Sequence, residues 1–146
     1  MMSLYKAKVP CCKRRYKKRE RIMIQSGTFL EVADNSGGRI VQCVKVLQKT
    51  KGRYGGVGDI IIVSVKSLVR NQKSKVKKGH LYKAVILETR KGTSRVDGSA
   101  CAYSRNTVTL LSANGGSIGS RITGLTPYEL RAKNHTKLIS LSARNV

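Results

Sequence analysis

The hydrophobic positions from residue 23 onward form short runs rich in β-branched residues, and Gly, Asn, Asp and Ser separate these runs. Runs of this length between turn-forming residues are typical of β-strands. We predict strands at residues 23–32, 39–48, 59–68, 81–89 and 107–111, with a weaker one at 99–103. The pattern therefore predicts a mainly β protein.

The third run shows how such a strand would lie. Ile61, Val63 and Val65 fall on one face, while Ser64 and Lys66 fall on the other. One apolar and one polar face indicate a half-buried strand of an antiparallel barrel or sandwich.

The fourth run is less regular. Leu81, Val85 and Leu87 form one apolar face, which Lys83 interrupts. We still predict a strand here, with that face as its apolar side.

Turn-forming residues separate the predicted strands. Residues 34–38 and 55–59 are rich in Gly, Asp, Asn and Ser, which tolerate left-handed backbone or bond their own main chain. Asp97-Gly98 predicts a hairpin. Near the C-terminus, Thr126-Pro127-Tyr128-Glu129 predicts a helix with Thr126 as N-cap, continuing to about Lys133.

Charge changes the picture of what surrounds this protein. The chain has 30 Lys and Arg against 7 Asp and Glu, a formal net charge of +23. Such an excess opposes the compact state by self-repulsion and favours binding to polyanions. We therefore expect a polyanion as a permanent partner.

Residues 1–22 carry a large share of this charge, with nine Lys and Arg against Glu20. A removed targeting peptide would also be basic and poor in acids. Because Met1 is kept, we expect a fixed N-terminal extension that phosphates hold in place. Its predicted RNA-binding residues are Lys13, Arg14, Arg15, Lys17, Lys18 and Arg19.

Beyond residue 22 the basic residues cluster where strands should end. Segments 49–54 and 70–78 contain no acidic residue, whereas ordinary solvated loops mix both signs. Loops of this kind can reach separate phosphates, and RNA is favoured over duplex DNA because no predicted helix is long and basic enough for a major groove. The predicted rRNA-binding residues in these loops are Lys49, Lys51, Arg53, Arg70, Lys73, Lys75, Lys77, Lys78, Arg90, Lys91 and Arg95.

Other kinds of chemistry find little support in the sequence. The four cysteines form no C-x-x-C pair and the two histidines have no ligand at metal spacing, so we expect no metal, no cofactor and the thiols of a reducing compartment. The glycines at 55–58 lead to Asp59 and not to the Lys of a P-loop, and paired carboxylates are absent, so we expect no enzyme. The longest apolar stretch, at 60–65, is too short to span a membrane.

Ten segments of the chain resemble a known family in the family's own order. The family is the universal large-subunit ribosomal protein family L-fourteen, in its bacterial and organellar form. The segments are Met23-Ile24-Gln25, Val32-Ala33-Asp34-Asn35-Ser36-Gly37, Cys43-Val44-Lys45-Val46-Leu47, Arg53-Tyr54-Gly55-Gly56-Val57-Gly58-Asp59-Ile60-Ile61, Val76-Lys77-Lys78-Gly79, Lys83-Ala84-Val85, Asp97-Gly98-Ser99, Ile118-Gly119-Ser120-Arg121-Ile122, Glu129-Leu130-Arg131 and Lys137-Leu138-Ile139-Ser140-Leu141-Ser142.

The resemblance implies a five-stranded β-barrel with a projecting β-ribbon and small C-terminal helices, at residues 23–146. It implies a structural constituent of the large ribosomal subunit that binds large-subunit rRNA and touches small-subunit rRNA in an intersubunit bridge. The implied protein partners are the large-subunit proteins numbered three and nineteen and a ribosome-silencing factor. The resemblance carries the subunit-interface and factor face to Ser120, Arg121 and Lys137.

The extension at residues 1–22 departs from the family and suggests an organellar ribosome. We expect a mitochondrial location, with synthesis inside the organelle; the bacterial cytoplasm and the plastid are the alternatives. A different class of protein is also open at this point: a free RNA-binding or nucleoid-associated β-barrel that acts outside the ribosome.

Overall fold

The computed structural model describes residues 24–47, 54–69 and 74–146. Short strands dominate these residues, and two short helices lie near the C-terminus. The elements are β1 (Ile24–Gln25), β2 (Phe29–Val32), β3 (Gly38–Val46), β4 (Tyr54–Gly55), β5 (Ile60–Leu68), β6 (Leu81–Glu88), β7 (Thr93–Ser94), β8 (Ala100–Cys101), β9 (Thr107–Leu111), β10 (Ile122–Thr126), α1 (Glu129–Ala132), α2 (Thr136–Ser140) and β11 (Ser142–Asn145).

Five strands close into a barrel in the order β2, β3, β5, β6, β9. Neighbours are antiparallel except at the seam, where β2 and β9 run parallel with Glu31 opposite Thr107. Each of the five predicted main runs supplies one barrel strand. The predicted mainly β class and the implied five-stranded barrel are both confirmed.

The first predicted strand is interrupted, so the prediction of one continuous strand over 23–32 is wrong. Gly27 adopts a φ of 92°, and its N–H donates to the Cys43 carbonyl at 2.7 Å. The chain therefore turns between β1 and β2. β1 then pairs with β4, outside the barrel.

The interior of the barrel is filled by aliphatic side chains from the alternate positions of its strands. Ile61, Val63 and Val65 of β5 are fully buried there, while Ser64 is half-buried and Lys66 is exposed. The predicted alternation of this strand is confirmed, and the barrel interior forms the main hydrophobic core.

The β6 strand is buried on both faces over its second half, so the prediction of one apolar face is wrong. Ala84 and Ile86 belong to the barrel interior, whereas Val85 and Leu87 belong to a second cluster on the outside. Leu81, assigned to the apolar face from the sequence, is 62% exposed. A strand covered on both sides becomes continuously apolar instead of alternating.

The second cluster lies under a C-terminal unit formed by β10, α1, α2 and β11. Leu130 of α1 and Leu138 of α2 are buried against the outer face of the barrel, together with Ile122 of β10. β10 and β11 pair in parallel, with Ile122 opposite Ser142. The small C-terminal helices implied by the resemblance are confirmed, although the strand pattern alone predicted neither strand of this unit.

Thr126 does not cap the first helix, and this part of the prediction is wrong. Thr126 is the last residue of β10, and its hydroxyl lies 2.7 Å from the Ser142 hydroxyl and 3.1 Å from the Arg144 carbonyl. The helix begins at Glu129, and Tyr128 occupies the N-cap position. The hydroxyl is used by the pairing of β10 with β11 and is therefore unavailable to the helix.

The predicted hairpin at Asp97-Gly98 is confirmed. β7 and β8 pair antiparallel outside the barrel, and the Arg95 N–H donates to the Ser99 carbonyl at 2.8 Å. The Asp97 carboxylate accepts from the Ser99 N–H at 2.9 Å and stabilises the turn. No helix within residues 24–47, 54–69 and 74–146 has the length and apolar character to span a membrane.

Candidate nucleic-acid interface

Three basic side chains pair with carboxylates inside the fold. Lys133 Nζ lies 2.6 Å from Asp59 Oδ1, and Arg95 Nε lies 2.8 Å from Glu129 Oε1. Arg105 reaches two carboxylates, those of Glu31 at 3.3 Å and Glu88 at 3.7 Å. These pairs join the C-terminal unit to the turn before β5 and to the β7–β8 hairpin, and they join the segment before β9 to β2 and β6.

The other two carboxylates of the described residues are held by uncharged donors. Asp34 Oδ1 accepts from the Ser36 N–H at 2.9 Å, and Asp34 Oδ2 accepts from the Leu110 N–H at 2.8 Å. Burial raises the pKa of Asp34, although these hydrogen bonds act in the opposite direction. The hydrogen bonds from Ser99 lower the pKa of Asp97.

Every Asp and Glu of the described residues is thus engaged within the chain. The remaining Lys and Arg side chains in that part of the structure form no ion pair with a carboxylate, although the charge of Lys75 acts on Asp34. Uncompensated cations on a small domain repel one another unless an external anion lies among them. This is the electrostatic condition expected of a surface that binds a polyanion.

The loop that carries Lys75, Lys77 and Lys78 is fixed to the barrel at its base. Val76 is buried, and the Lys75 N–H donates to the Ser36 carbonyl at 2.9 Å. The Lys77 and Lys78 side chains are exposed, while Lys75 Nζ donates to the Ile118 carbonyl at 3.3 Å. The loop therefore presents charges from a defined backbone.

Gly37 allows this loop to approach so closely. Its φ is 92°, and a Cβ at this position would lie 2.6 Å from the Ser74 Cβ and 2.8 Å from the Ser74 Cα. Only glycine fits between the two segments without a shift of the backbone. The turn at residues 34–38 predicted from the sequence thus also seats the lysine loop.

Arg90 and Lys91 lie just after β6, and both side chains are exposed. The Arg90 N–H donates to Asn106 Oδ1 at 2.8 Å, which fixes the backbone of this connection. Arg95, predicted together with them, differs: besides Glu129 it donates to the Val146 carbonyl at 3.1 Å. The structure therefore separates two free cations from one that stabilises the fold.

Several predicted RNA-binding residues lie outside the described residues. They are Lys13, Arg14, Arg15, Lys17, Lys18, Arg19, Lys49, Lys51, Arg53, Arg70 and Lys73.

The predicted interface residues Ser120, Arg121 and Lys137 are all exposed. Ser120 and Arg121 precede β10, and Lys137 lies in α2. The N–H of Ile122, which follows Arg121, donates at 3.1 Å to the carbonyl of Leu141, which follows α2. The segments that carry the three residues are therefore attached to one another.

A cleft of about 920 Å³ opens beside this region, and sequence reasoning missed two of its three arginines. Arg105 lies before β9, Arg121 before β10, and Arg144 in β11. Only Arg121 was predicted as a site residue. No local pattern marks Arg105 or Arg144, because Arg144 reaches the cleft through the parallel pairing of β10 with β11 and Arg105 reaches it from a distant segment, before β9.

Neighbouring groups determine the charge of the cleft. The Glu88 side chain, 4% exposed, lies between the Leu125 N–H at 2.7 Å and the Arg105 guanidinium at 3.7 Å. Arg121 and Arg144 have no carboxylate partner among the described residues. Burial, followed by the neighbouring Cys101 and Glu129, raises the pKa of Tyr103 to about 12, so its hydroxyl keeps its proton near neutral pH.

Metal and thiol chemistry are not indicated in the part of the chain that the structure describes. No group of three His, Cys, Asp or Glu side chains there could hold a metal ion. Cys43 and Cys101 are free thiols, and burial raises the pKa of Cys43, which disfavours its reactive thiolate form.

Comparison with known protein families shows which family this chain matches. The family model described as ribosomal protein L14p/L23e matches residues 23–146. The match includes every described residue, from β1 to the end of β11.

Proposed function

Because the chain belongs to the ribosomal protein L14p/L23e family, which supports a structural role in the large ribosomal subunit, we propose that it binds large-subunit rRNA through its unpaired surface cations. Proteins of this family are generally structural and not enzymatic. The observation that carries the proposal is the engagement of every described carboxylate inside the chain, which leaves the described Lys and Arg other than Arg95, Arg105 and Lys133 without an ion pair to a carboxylate.

Binding of this kind works by phosphate neutralisation. Each Lys or Arg that contacts a phosphate releases condensed counterions, so affinity is high and falls as salt rises. The barrel fixes the spacing between cations on different loops, and folded RNA offers phosphates at matching positions. Lys77, Lys78, Arg90 and Lys91 are the described loop residues best suited to this role, since all four are exposed and unpaired.

Family membership is also the basis for proposing the subunit interface and the neighbouring proteins. We propose that Ser120, Arg121 and Lys137 face the small subunit, contribute to an intersubunit bridge with its rRNA, and form the contact for a ribosome-silencing factor. The proposed neighbours within the large subunit are the proteins numbered three and nineteen. Support comes from the exposure of the three side chains and from the hydrogen bond that attaches their segments.

The chain divides, in this proposal, into a basic extension at residues 1–22 and a barrel domain at residues 23–146. We propose that its ribosome is mitochondrial, with the bacterial cytoplasm or plastid as alternatives, because the basic extension lies outside the residues that match the family. Cell fractionation with an antibody tests the location. The intact mass of the protein from purified ribosomes tests whether residues 1–22 are kept.

Cosedimentation tests the main proposal against its competitor, a free RNA-binding or nucleoid-associated barrel. Lysate is layered on a sucrose gradient at low and at high salt, and the protein is followed by immunoblotting. We expect it to stay with large subunits at both salt concentrations, because a seated ribosomal protein is enclosed by RNA on several sides. Loss from the subunit at high salt would favour the free RNA-binding protein.

A further inference from the structure

The cleft beside β10 and β11 combines arginines with aromatic and aliphatic residues. Arginines reach it from three separate segments, and its lining also includes Tyr103, Ile122 and Leu141. Its volume of about 920 Å³ falls within the range of roughly 300–1,000 Å³ typical of sites for small organic groups. The cleft is therefore large enough for more than a single anion.

The charge in the cleft favours a phosphate. Glu88 is held by the Leu125 N–H and faces Arg105, so its negative charge is compensated within the protein. Arg121 and Arg144 form no ion pair with a carboxylate of the described residues. The planar guanidinium group matches the geometry of phosphate oxygens and can donate to two of them at once.

The uncharged lining favours an attached base. Tyr103 offers an aromatic ring, and the half-buried Leu141 offers aliphatic surface beside the arginines. Proteins recognise single-stranded RNA by placing unstacked bases against aromatic rings and guanidinium planes. A carboxylate of an acidic peptide would satisfy the arginines but would leave this apolar surface uncovered.

We propose that the cleft lined by Arg105, Arg121 and Arg144 binds one unstacked nucleotide of a single-stranded RNA segment. The phosphate lies on Arg121 and Arg144, and the base lies against Tyr103 and Leu141. The inference rests on the proposed bridge to small-subunit rRNA, in which Arg121 takes part, and adds to it a site that contacts a base as well as the backbone.

The test uses the full chain, freed of RNA, and the trinucleotide pUpUpU as probe. Amide NMR signals of Gly124 and Ala143, both in the cleft lining, report binding there. We expect Arg144→Gln to weaken binding about tenfold, because a charge-assisted hydrogen bond is lost. The Arg144 carbonyl, which accepts from Thr126, is retained in this variant.

Arg131→Gln is the matched control, because Arg131 is exposed on α1 and does not line the cleft. We expect it to change trinucleotide binding less than twofold. Equal losses in the two variants would show general charge attraction and would overturn the proposal. If Arg144→Gln does not fold, its amide signals lose their dispersion. Arg121→Gln then provides the second measurement.

Two further probes decide the chemistry of the ligand. Inorganic phosphate at matched ionic strength should move the Gly124 and Ala143 signals much less than the trinucleotide does. Equal shifts would reduce the cleft to an anion site, and tighter binding of an acidic tetrapeptide would assign it to a protein partner; either result overturns the proposal. If cleft binding fails while cosedimentation with large subunits persists, this inference falls and the ribosomal function stands.

Discussion

Arg95 Nε lies 2.8 Å from Glu129 Oε1, although the two residues are 34 positions apart in the chain. The pair connects the β7–β8 hairpin to the first helix. A residue that the sequence predicts as an RNA ligand therefore has an internal counter-charge, unlike Arg90 and Lys91 a few positions earlier.

This pair makes stability depend on pH. Burial raises the pKa of Glu129, but the hydrogen bond from Arg95 and its charge outweigh this effect, and the net pKa is lowered. Because the pKa of Glu129 is lower in the folded state, its ionised form stabilises the protein fully at pH values above the ordinary pKa near 4.5. This stabilisation is lost as the pH falls through the folded-state pKa. In thermal melts followed by circular dichroism, Glu129→Gln should remove this part of the acid sensitivity. Melting temperatures that fall in parallel for both proteins would contradict the assignment.

Asp34 should show the opposite pH dependence. Its pKa is raised by burial, so its contribution to the free energy of unfolding is fullest below the ordinary value near 3.8 and declines as the pH rises through the folded pKa. In Asp34→Asn, one of the two N–H groups that donate to Asp34 would face the amide NH₂, which is itself a donor. We therefore expect the free energy of unfolding, measured in urea, to fall by about 1–3 kcal/mol. The loss should shrink as the pH rises through that window. Asp97→Asn, on the exposed hairpin, is the control and should cost much less.

Gly37 and Gly79 allow a test of the close approach under the lysine loop. Both have positive φ, but a Cβ at Gly79 meets nothing within 4 Å, whereas one at Gly37 meets Ser74. Gly79→Ala should lower the free energy of unfolding by about 1–2 kcal/mol from backbone strain alone. Gly37→Ala should lower the free energy of unfolding, measured in urea, by about 1–3 kcal/mol more, because the Ser74 backbone must move. Equal losses would show that the loop is not held by this contact.

Lys77 and Lys78 should contribute directly to the salt dependence of rRNA binding. Replacing both by Ala should reduce the slope of log K against log salt by about 1.5, if each lysine neutralises one phosphate. Filter binding to large-subunit rRNA over a series of salt concentrations measures the slope. The Lys45→Ala, Lys66→Ala double variant removes two exposed charges from the barrel strands and serves as the comparison. Identical slopes for the wild type and the loop variant would contradict the role of the loop.

Arg121 and Lys137 should matter for subunit joining more than for assembly. Reversing both charges to Glu should leave incorporation into large subunits nearly unchanged, since neither side chain is buried or paired in the fold. Gradient profiles should then show free subunits increasing at the expense of joined ribosomes. If subunits that fully incorporate the variant join normally, the assignment of Arg121 and Lys137 to the subunit interface is contradicted.

Local pattern predicted those parts of the fold whose burial follows from a single strand. Ile61, Val63 and Val65 are fully buried because one face of β5 meets the barrel interior, while Ser64 and Lys66 on the other face are half-buried and exposed. In β6 the C-terminal unit covers the outer face, so Val85 and Leu87 are buried for a reason that lies far along the chain. No pattern within β6 could reveal that cover.

The residues of the candidate site also fall into those that a local pattern predicts and those that only tertiary contacts bring together. Clusters such as Lys77 and Lys78 are visible in the sequence because the charges are adjacent. The convergence of Arg105 and Arg144 on one cleft depends on the parallel register of β10 and β11, which places Arg144, and on the tertiary position of the segment before β9, which places Arg105; sequence spacing determines neither. The ion pair of Arg95 with Glu129 likewise depends on tertiary contact, so charge alone could not separate this arginine from its neighbours.

The parallel seam between β2 and β9 joins segments that are far apart in the chain. Asp34 and Leu110, whose hydrogen bond lies beside this seam, are 76 positions apart. Contacts of such high sequence separation form late, because a long loop must be closed before they contribute. Until β9 has been synthesised, β2 has β3 as its sole barrel neighbour and an open edge. A nascent chain with an open strand edge is vulnerable to pairing with other chains, and closure of the seam ends that vulnerability.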